Sequence, residues 1–228
     1  MAIANFAPIE LADEQGLLAI GGDLEPESLK LAYSKGIFPW PISEDYPLAW
    51  FSPDPRGVLE YDHLHIPQSL KKVFSRGNFE VSTNQSFEAV IMNCARTKRP
   101  AQAGTWITQE IVEAYIRLYR KNLAYSIETW EKGKLVGGLY GVCIDGIVTG
   151  ESMFFTSANA SKVALVTLIQ HLMRVGIDWL DTQMVTPVVQ TLGGREIPRD
   201  EFISRLKSRP RLERGDIFPA KKRWTPTL

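Results

Sequence analysis

Cysteine is scarce. Cys94 and Cys143 are the only two in 228 residues, too few for a disulfide framework or a four-cysteine zinc site. Both lie in apolar stretches, where a thiol stays protonated and inert. The three histidines do not build a metal centre either. His63 and His65 flank Leu64 with no cysteine or acidic cluster beside them and read as a surface strand. His171 falls within an apolar helical pattern and reads as structural. Net charge is missing too: 26 Lys and Arg stand against 26 Asp and Glu, which argues against uniform coating of nucleic acid. No apolar run approaches the length of a membrane span. The opening residues, MAIANFAPIELADEQ, lack the basic start and apolar stretch of a secretory leader. The nucleophile-elbow, phosphate-loop and dinucleotide-binding patterns are all absent. A chain without membrane contact, in the reducing cytoplasm, is the expectation.

What is present is an ordinary globular mixture, 44% hydrophobic and 23% charged. Its length allows one large domain or two small ones. The charges are not evenly spread. Residues 10–45 carry eight acids against Lys30 and Lys35, a net of −6. Residues 204–228 carry eight bases against Glu213 and Asp216, a net of +6. Smaller basic clusters fall between them, at Lys71, Lys72 and Arg76 and at Arg96, Lys98 and Arg99. A polyanion can be held locally by such clusters, although each alone reads equally as solvated surface.

Residues 1–60 are rich in Gly, Pro and Trp. Pro26 suits a helix's first turn, so 25–35 is predicted helical and stopped by Gly36. Prolines at 39, 41, 47, 53 and 55 exclude regular helix from the rest, which reads as a compact cap. Apolar periodicity predicts helices over 67–75, 86–94, 108–121, 158–175 and 198–207. The fourth of these is apolar nearly all round, a buried spine. Alternation predicts strands over 79–81, 123–130, 135–144, 147–155 and 179–184, with hairpin turns at Lys132-Gly133 and Asp145-Gly146. Helices, a β-meander, a long helix and a strand suit an α+β domain with helices on a mostly antiparallel sheet. A boundary near residue 60 separates it from the cap.

Candidate chemistry sits at three places. On a strand, Asp181 and Gln183 share a face. A carboxylate and an amide side by side can orient an amine or a developing oxyanion. The plain alternative is a strand-end Asp that caps a turn. Glu151 falls among Ile147, Thr149, Met153 and Phe155 on one predicted strand face. An acid there needs a partner, or it shifts its pKa; the alternative is an edge open to water. Trp106, in Gly104-Thr105-Trp106-Ile107-Thr108, stands at a helix mouth, either lining a pocket or simply buried. Gly137, Gly138 and Gly141 weaken a strand unless something packs close, a helix being the plain case.

Several phrases occur in order: Gly16-Leu17-Leu18-Ala19-Ile20-Gly21-Gly22-Asp23-Leu24, Gly36-Ile37-Phe38-Pro39-Trp40, Trp50-Phe51-Ser52-Pro53-Asp54-Pro55-Arg56, Gly104-Thr105-Trp106-Ile107-Thr108, Val136-Gly137-Gly138-Leu139-Tyr140-Gly141, Gly150-Glu151-Ser152-Met153-Phe154 and Asp181-Thr182-Gln183. Over roughly residues 16–205 the chain resembles the bacterial leucyl/phenylalanyl-tRNA–protein transferases. Each phrase alone is weak, and the ordered set is specific.

The resemblance implies a small Pro/Trp-rich N-terminal domain (1–60). An N-acetyltransferase-like catalytic domain (61–228) would follow, an antiparallel sheet flanked by helices with a basic C-terminal tail. It implies transfer of Leu or Phe, and Met less well, from aminoacyl-tRNA to proteins that begin with Arg or Lys, which marks them for degradation. No metal and no cofactor are implied. By similarity, Asp181 and Gln183 orient the amine and carbonyl, either as orienters alone or with Asp181 drawing the proton through Gln183. Glu151 would hold the acceptor's amine or cationic side chain. Trp40, Trp106, Leu139, Met153, Leu165 and Leu168 would line the aminoacyl side-chain pocket. Some relatives carry Met at Leu139 and Phe at Leu168, which bears on the Leu-to-Phe preference. Lys71, Lys72 and Arg76 would hold tRNA phosphates, with Arg96, Lys98, Arg99 and the C-terminal bases steering. A monomer is expected. A coenzyme A–dependent acetyltransferase is disfavoured because Thr156-Ser157-Ala158-Asn159-Ala160-Ser161 replaces the glycine-rich pyrophosphate loop. A mere tRNA-end binding module is disfavoured by acids near the ester.

Overall fold

A computed structural model describes residues 2–42, 46–97, 105–219 and 221–228. Near the N-terminus, β1 (Leu17–Ile20), α1 (Pro26–Ser34), β2 (Phe38–Pro39) and β3 (Ala49–Phe51) form a small sheet, in the order β1-β3-β2, with one helix beside it. Pro26 lies in the first turn of α1, whose Leu29, Ala32 and Tyr33 are buried.

The chain continues through β4 (Arg56–Glu60), α2 (Gln68–Arg76), β5 (Glu80–Thr83), α3 (Phe87–Arg96), α4 (Gln109–Arg120), β6 (Ala124–Glu131) and β7 (Lys134–Ile144). Next come β8 (Ile147–Val148), β9 (Ser152–Phe155), α5 (Ala160–Arg174), β10 (Trp179–Gln183), α6 (Pro187–Thr191), β11 (Arg195–Ile197), α7 (Arg199–Ser208), α8 (Arg214–Ile217) and β12 (Lys221–Trp224). The six-stranded sheet runs β12-β5-β6-β7-β8, with β9 also on β7, and every ladder in it is antiparallel. Helix α5 packs into one core cluster, while α1, α3 and α4 build another. The α+β class and the helix-flanked antiparallel sheet are as expected. The predicted helices and hairpin turns fall within a few residues of their places; Asp145 and Gly146 take the positive φ values of 48° and 82° that a tight hairpin needs.

The strand pattern departs from expectation: β1, β2, β3 and β11 are additional strands, and four further differences follow. Residues 147–155 do not form one strand: β8 and β9 are separated by Thr149, Gly150 and Glu151. Against β7, the register slips by one residue between Cys143↔Val148 and Tyr140↔Ser152, a bulge that alternation cannot reveal. It is seated on Gly141, where a Cβ would stand 1.8 Å from the Thr149 carbonyl oxygen. Second, β10 lies outside the large sheet, in a sheet ordered β10-β4-β11, and touches the bulge through one parallel bridge, Thr149↔Asp181. Third, its partner β4 arises at the end of the Pro-rich stretch read as a compact cap, where no strand was assigned. Fourth, the basic tail supplies β12, and Arg223 lies 3.7 Å over the Trp130 ring. One helix detail also changes: Met173, assigned to the buried spine, is 44% exposed.

Gly137 marks where α5 presses on the sheet. A Cβ there would come 2.5 Å from the Ala160 Cβ and 2.9 Å from its carbonyl carbon. Gly137→Ala should therefore destabilise by about 1–3 kcal/mol, and Ala160→Gly in the same chain should restore part of it. Urea unfolding of the two single variants and the double checks this; additive losses would contradict the contact.

Candidate active site

Three sequence-selected groups meet where β10 touches the bulge. Asp181 is 1% exposed. Its Oδ1 accepts from Arg56 Nε at 2.9 Å and its Oδ2 from Arg56 Nη2 at 2.7 Å. Arg56, also 1% exposed, donates through Nη1 to the Gly36 carbonyl at 3.0 Å. Its guanidinium lies between the rings of Phe38 and Phe202, at 4.8 and 4.4 Å. The pair thus ties β4 and β10 to the turn after α1 and to α7. A buried carboxylate in this setting is charge-matched and fully hydrogen-bonded.

Gln183 adopts φ 57° where the β10–β4 register slips. Its backbone N–H donates to Asp181 Oδ1 at 2.9 Å, which holds this uncommon left-handed conformation in place. The side chains of Asp181 and Gln183 therefore part instead of sharing one face. Gln183 Nε2 donates to Glu151 Oε1 at 2.8 Å. A hydrogen-bonded path runs from Asp181 to the Gln183 backbone; none is found from Asp181 to the Gln183 amide side chain.

Glu151 follows the bulge. Its Oε1 also accepts from Thr149 Oγ1 at 2.6 Å, and its Oε2 from the Tyr115 hydroxyl at 3.3 Å. Tyr115 in turn hydrogen-bonds Tyr33. The residue keeps some accessible surface although protein surrounds it. Burial pushes its pKa up to about 7, the nearby Asp181 charge adds to the rise, and hydrogen bonds from Thr149, Tyr33 and Gln183 oppose it. Burial, followed by the Glu151 charge, holds the phenols of Tyr33 and Tyr115 well above their ordinary range. They remain hydroxyl donors.

Trp40 and Trp106 stack, with centroids 4.9 Å apart and planes 17° from parallel. Thr108 caps α4 by accepting from the Ile111 N–H at 3.3 Å, and Thr105 accepts from the Ile107 N–H at 3.1 Å. These two caps hold Trp106 at the helix mouth; Gly104 lies outside the described residues. The other four predicted pocket residues belong to the α5-side cluster, whereas the two tryptophans pack on the other. Leu139, Leu165 and Leu168 are buried, and Met153 is half-buried.

Lys71, Lys72 and Arg76 are exposed on α2, while Leu70 and Phe74 face inward. No ion pair among the described residues neutralises these cations. Arg96 is exposed at the end of α3; Lys98 and Arg99 lie outside the described residues, as do the side chains of Lys221 and Lys222. Several C-terminal bases are engaged internally. Arg205 pairs with Glu60 and Glu201, Arg209 donates to the Asp145 carbonyl at 2.9 Å, and Arg214 bonds Asn122.

Sequence reasoning assigned no role to Arg56, Thr149, Tyr33 or Tyr115. Arg56 stands inside a quoted motif and Thr149 directly before one, but the partner of each is set by tertiary pairing. Tyr115 lies on the apolar face of α4, where only its hydroxyl hinted at a polar contact.

A family model described as leucyl/phenylalanyl-tRNA protein transferase matches residues 58–207, and the model for the N-terminal domain of the same proteins matches residues 22–54. The chain is 50% identical over 201 residues to a leucyl/phenylalanyl-tRNA--protein transferase of Anaeromyxobacter dehalogenans, covering 88% of this chain and 86% of that one. It is 48% identical over 204 residues to the protein of that name from Flavobacterium johnsoniae, covering 90% and 96%. Among solved structures, a GCN5-related N-acetyltransferase from Kribbella flavida is a distant likeness, with TM-score 0.37 and 11% identity over 73% of this chain and 58% of that one.

The raised Glu151 pKa has a consequence for stability. Between its ordinary value of 4.5 and about 7, the folded chain binds the proton more tightly than the unfolded chain. The contribution of Glu151 to stability therefore falls as pH rises through this window. Glu151→Gln removes the charge, so its thermal midpoint should exceed the parent's above pH 7, and the gap should close towards pH 4.5. Thermal melts across that range test this; a gap independent of pH would contradict it.

Proposed function

This chain belongs to the leucyl/phenylalanyl-tRNA–protein transferase family, and we propose how its site performs the transfer. The enzyme moves an aminoacyl group from tRNA to protein. We assign leucyl- and phenylalanyl-tRNA as donors, with methionyl-tRNA used less well, and proteins beginning with Arg or Lys as acceptors. The added residue makes the product a degradation signal.

The observation that carries the mechanism is the bond from Gln183 Nε2 to Glu151. It leaves Gln183 Oε1 facing away from Glu151, ready to accept from the acceptor's α-amine. That amine has a pKa of about 8, and it must lose a proton before attack. Glu151 takes that proton, being matched to neutral pH by its burial. The new C–N bond then forms as the ester C–O bond breaks. The second amine proton goes to the leaving ribose oxygen, so peptide, tRNA hydroxyl and one proton are the products. Asp181 is a positioning residue in this scheme: its charge is matched by Arg56, and it fixes Gln183 through the backbone. Ester to amide is downhill, so holding the reactants together supplies much of the rate.

Trp40, Trp106 and Met153 offer partly open apolar surface for the donor's side chain, with Leu139, Leu165 and Leu168 packed behind Met153. A thioether adapts to branched and aromatic guests. The coenzyme A alternative meets a specific obstacle. On the loop into α5, Ser157 Oγ donates to Glu131 Oε2 at 3.0 Å, which sets a carboxylate where a pyrophosphate would need positive potential.

Lys71, Lys72 and Arg76 form the proposed phosphate contact. Replacing all three with Ala should weaken aminoacyl-tRNA binding and flatten its salt dependence by about 2 in log–log slope. Titrations at several salt concentrations measure this; an unchanged slope would remove α2 from the interface.

A further inference from the structure

Strand β9 pairs with β7 on one side, and among the described residues no strand pairs with its other edge. The ladder fixes which groups face outward. Tyr140↔Ser152 and Gly138↔Phe154 are register partners, and the Thr156 N–H donates to the Val136 carbonyl at 2.7 Å. By alternation, the backbone N–H and C=O groups of Met153 and Phe155 point away from β7. The Phe155 side chain is 58% exposed. An unpaired edge is a ready template for a further strand, and the exposed aromatic beside it offers apolar surface for contact.

The edge is also one wall of a wedge. Just before β9 the chain bridges β10 in the parallel sense at Thr149↔Asp181, and the Gly150 N–H donates to the Asp181 carbonyl at 2.8 Å; among the described residues no ladder joins β9 to β10 beyond that apex. The Glu151–Gln183 bond lies just beyond that apex. From there β9 continues to Phe155, while β10 ends at Gln183. A chain whose amino end sits at Glu151 must leave through the open end, alongside β9.

We propose that the acceptor protein's N-terminal segment binds as an added strand, parallel to β9, with its α-amine at Glu151 and its backbone hydrogen-bonded to Met153 and Phe155. This rests on the reading of Glu151 and Gln183 given above and adds how the rest of the acceptor is held. The positive amino end meets a carboxylate, and the following residues are recognised through main-chain groups that every sequence shares. Such a mode lets one site accept many proteins that have only their first residue in common. A strand advances about 3.3 Å per residue, so β9 engages about the first three or four acceptor residues.

The test uses arginine-initiated pentapeptides carrying a single backbone N-methyl group at each position after the first, assayed for leucyl transfer from leucyl-tRNA, with arginine amide as a minimal acceptor. Alternate positions should raise KM about tenfold, equivalent to roughly 1.4 kcal/mol, and the positions between them should not. Phe155→Pro removes one outward N–H without touching the β7 ladder, and prolines are tolerated at edges. It should raise KM for the pentapeptide but leave transfer to arginine amide unchanged. Phe155→Ala, which keeps the N–H, should lose less. Equal tolerance at all positions, with arginine amide still used, would overturn the strand while sparing the site reading. No transfer to any acceptor beginning with Arg would overturn both.

Discussion

The buried pair of Arg56 and Asp181 is the constraint on which the site rests. Its two short hydrogen bonds close β4 against β10, and the remaining Arg56 contacts reach Gly36, Phe38 and Phe202. One carboxylate thereby gathers the N-terminal unit, the small sheet and α7. Removing one partner of such a pair costs about 3–5 kcal/mol, because the other charge stays buried. Specific geometry is what the pair contributes here: Asp181 also accepts from the Gln183 N–H and so sets the direction of the amide that faces Glu151.

Around this anchor the site is a chain of hydroxyls and amides converging on one carboxylate. Tyr33, Tyr115, Thr149 and Gln183 all serve Glu151, and burial keeps its proton affinity near neutrality. A base needs a pKa close to the working pH and a fixed orientation; burial, with the nearby Asp181 charge, supplies the first, and the hydrogen bonds supply the second. The split of residues 147–155 into β8 and β9 is part of the same arrangement. The bulge keeps the Thr149 and Glu151 N–H groups on the Val142 and Tyr140 carbonyls of β7, while Thr149 and Gly150 meet Asp181 of β10.

Much of the fold was legible locally. Thr108 announced α4, Pro26 and Gly36 bracketed α1, and Asp145-Gly146 announced the β7–β8 turn, because caps and turns are set by neighbours in sequence. Glu151 and the Asp181–Gln183 pair were legible as chemistry. The resemblance of the ordered motifs to the leucyl/phenylalanyl-tRNA–protein transferases is matched by the family models over residues 22–54 and 58–207. What failed was whatever depended on distant pairing. The bulge needs Gly141 and Asp181; β4 needs β10 and β11; β12 needs β5. Arg56 reads as a loop arginine until Asp181 arrives, 125 positions later. The surface charge counts misled for the same reason, since Arg205, Arg209 and Arg214 are engaged by residues far away in sequence.

The central claim is that the proton goes to Glu151, while Asp181 and Arg56 hold geometry. Single-turnover transfer from leucyl-tRNA to an arginine-initiated peptide, compared between Glu151→Gln and the neutral pair Arg56→Gln with Asp181→Asn, tests it most directly. The neutral pair keeps an acceptor for the Gln183 N–H and leaves no charge unmatched. The account predicts a loss of about a hundredfold or more for Glu151→Gln and a much smaller loss for the neutral pair. A folded neutral pair that loses as much as Glu151→Gln, or a Glu151→Gln variant with the parent's rate, would contradict it.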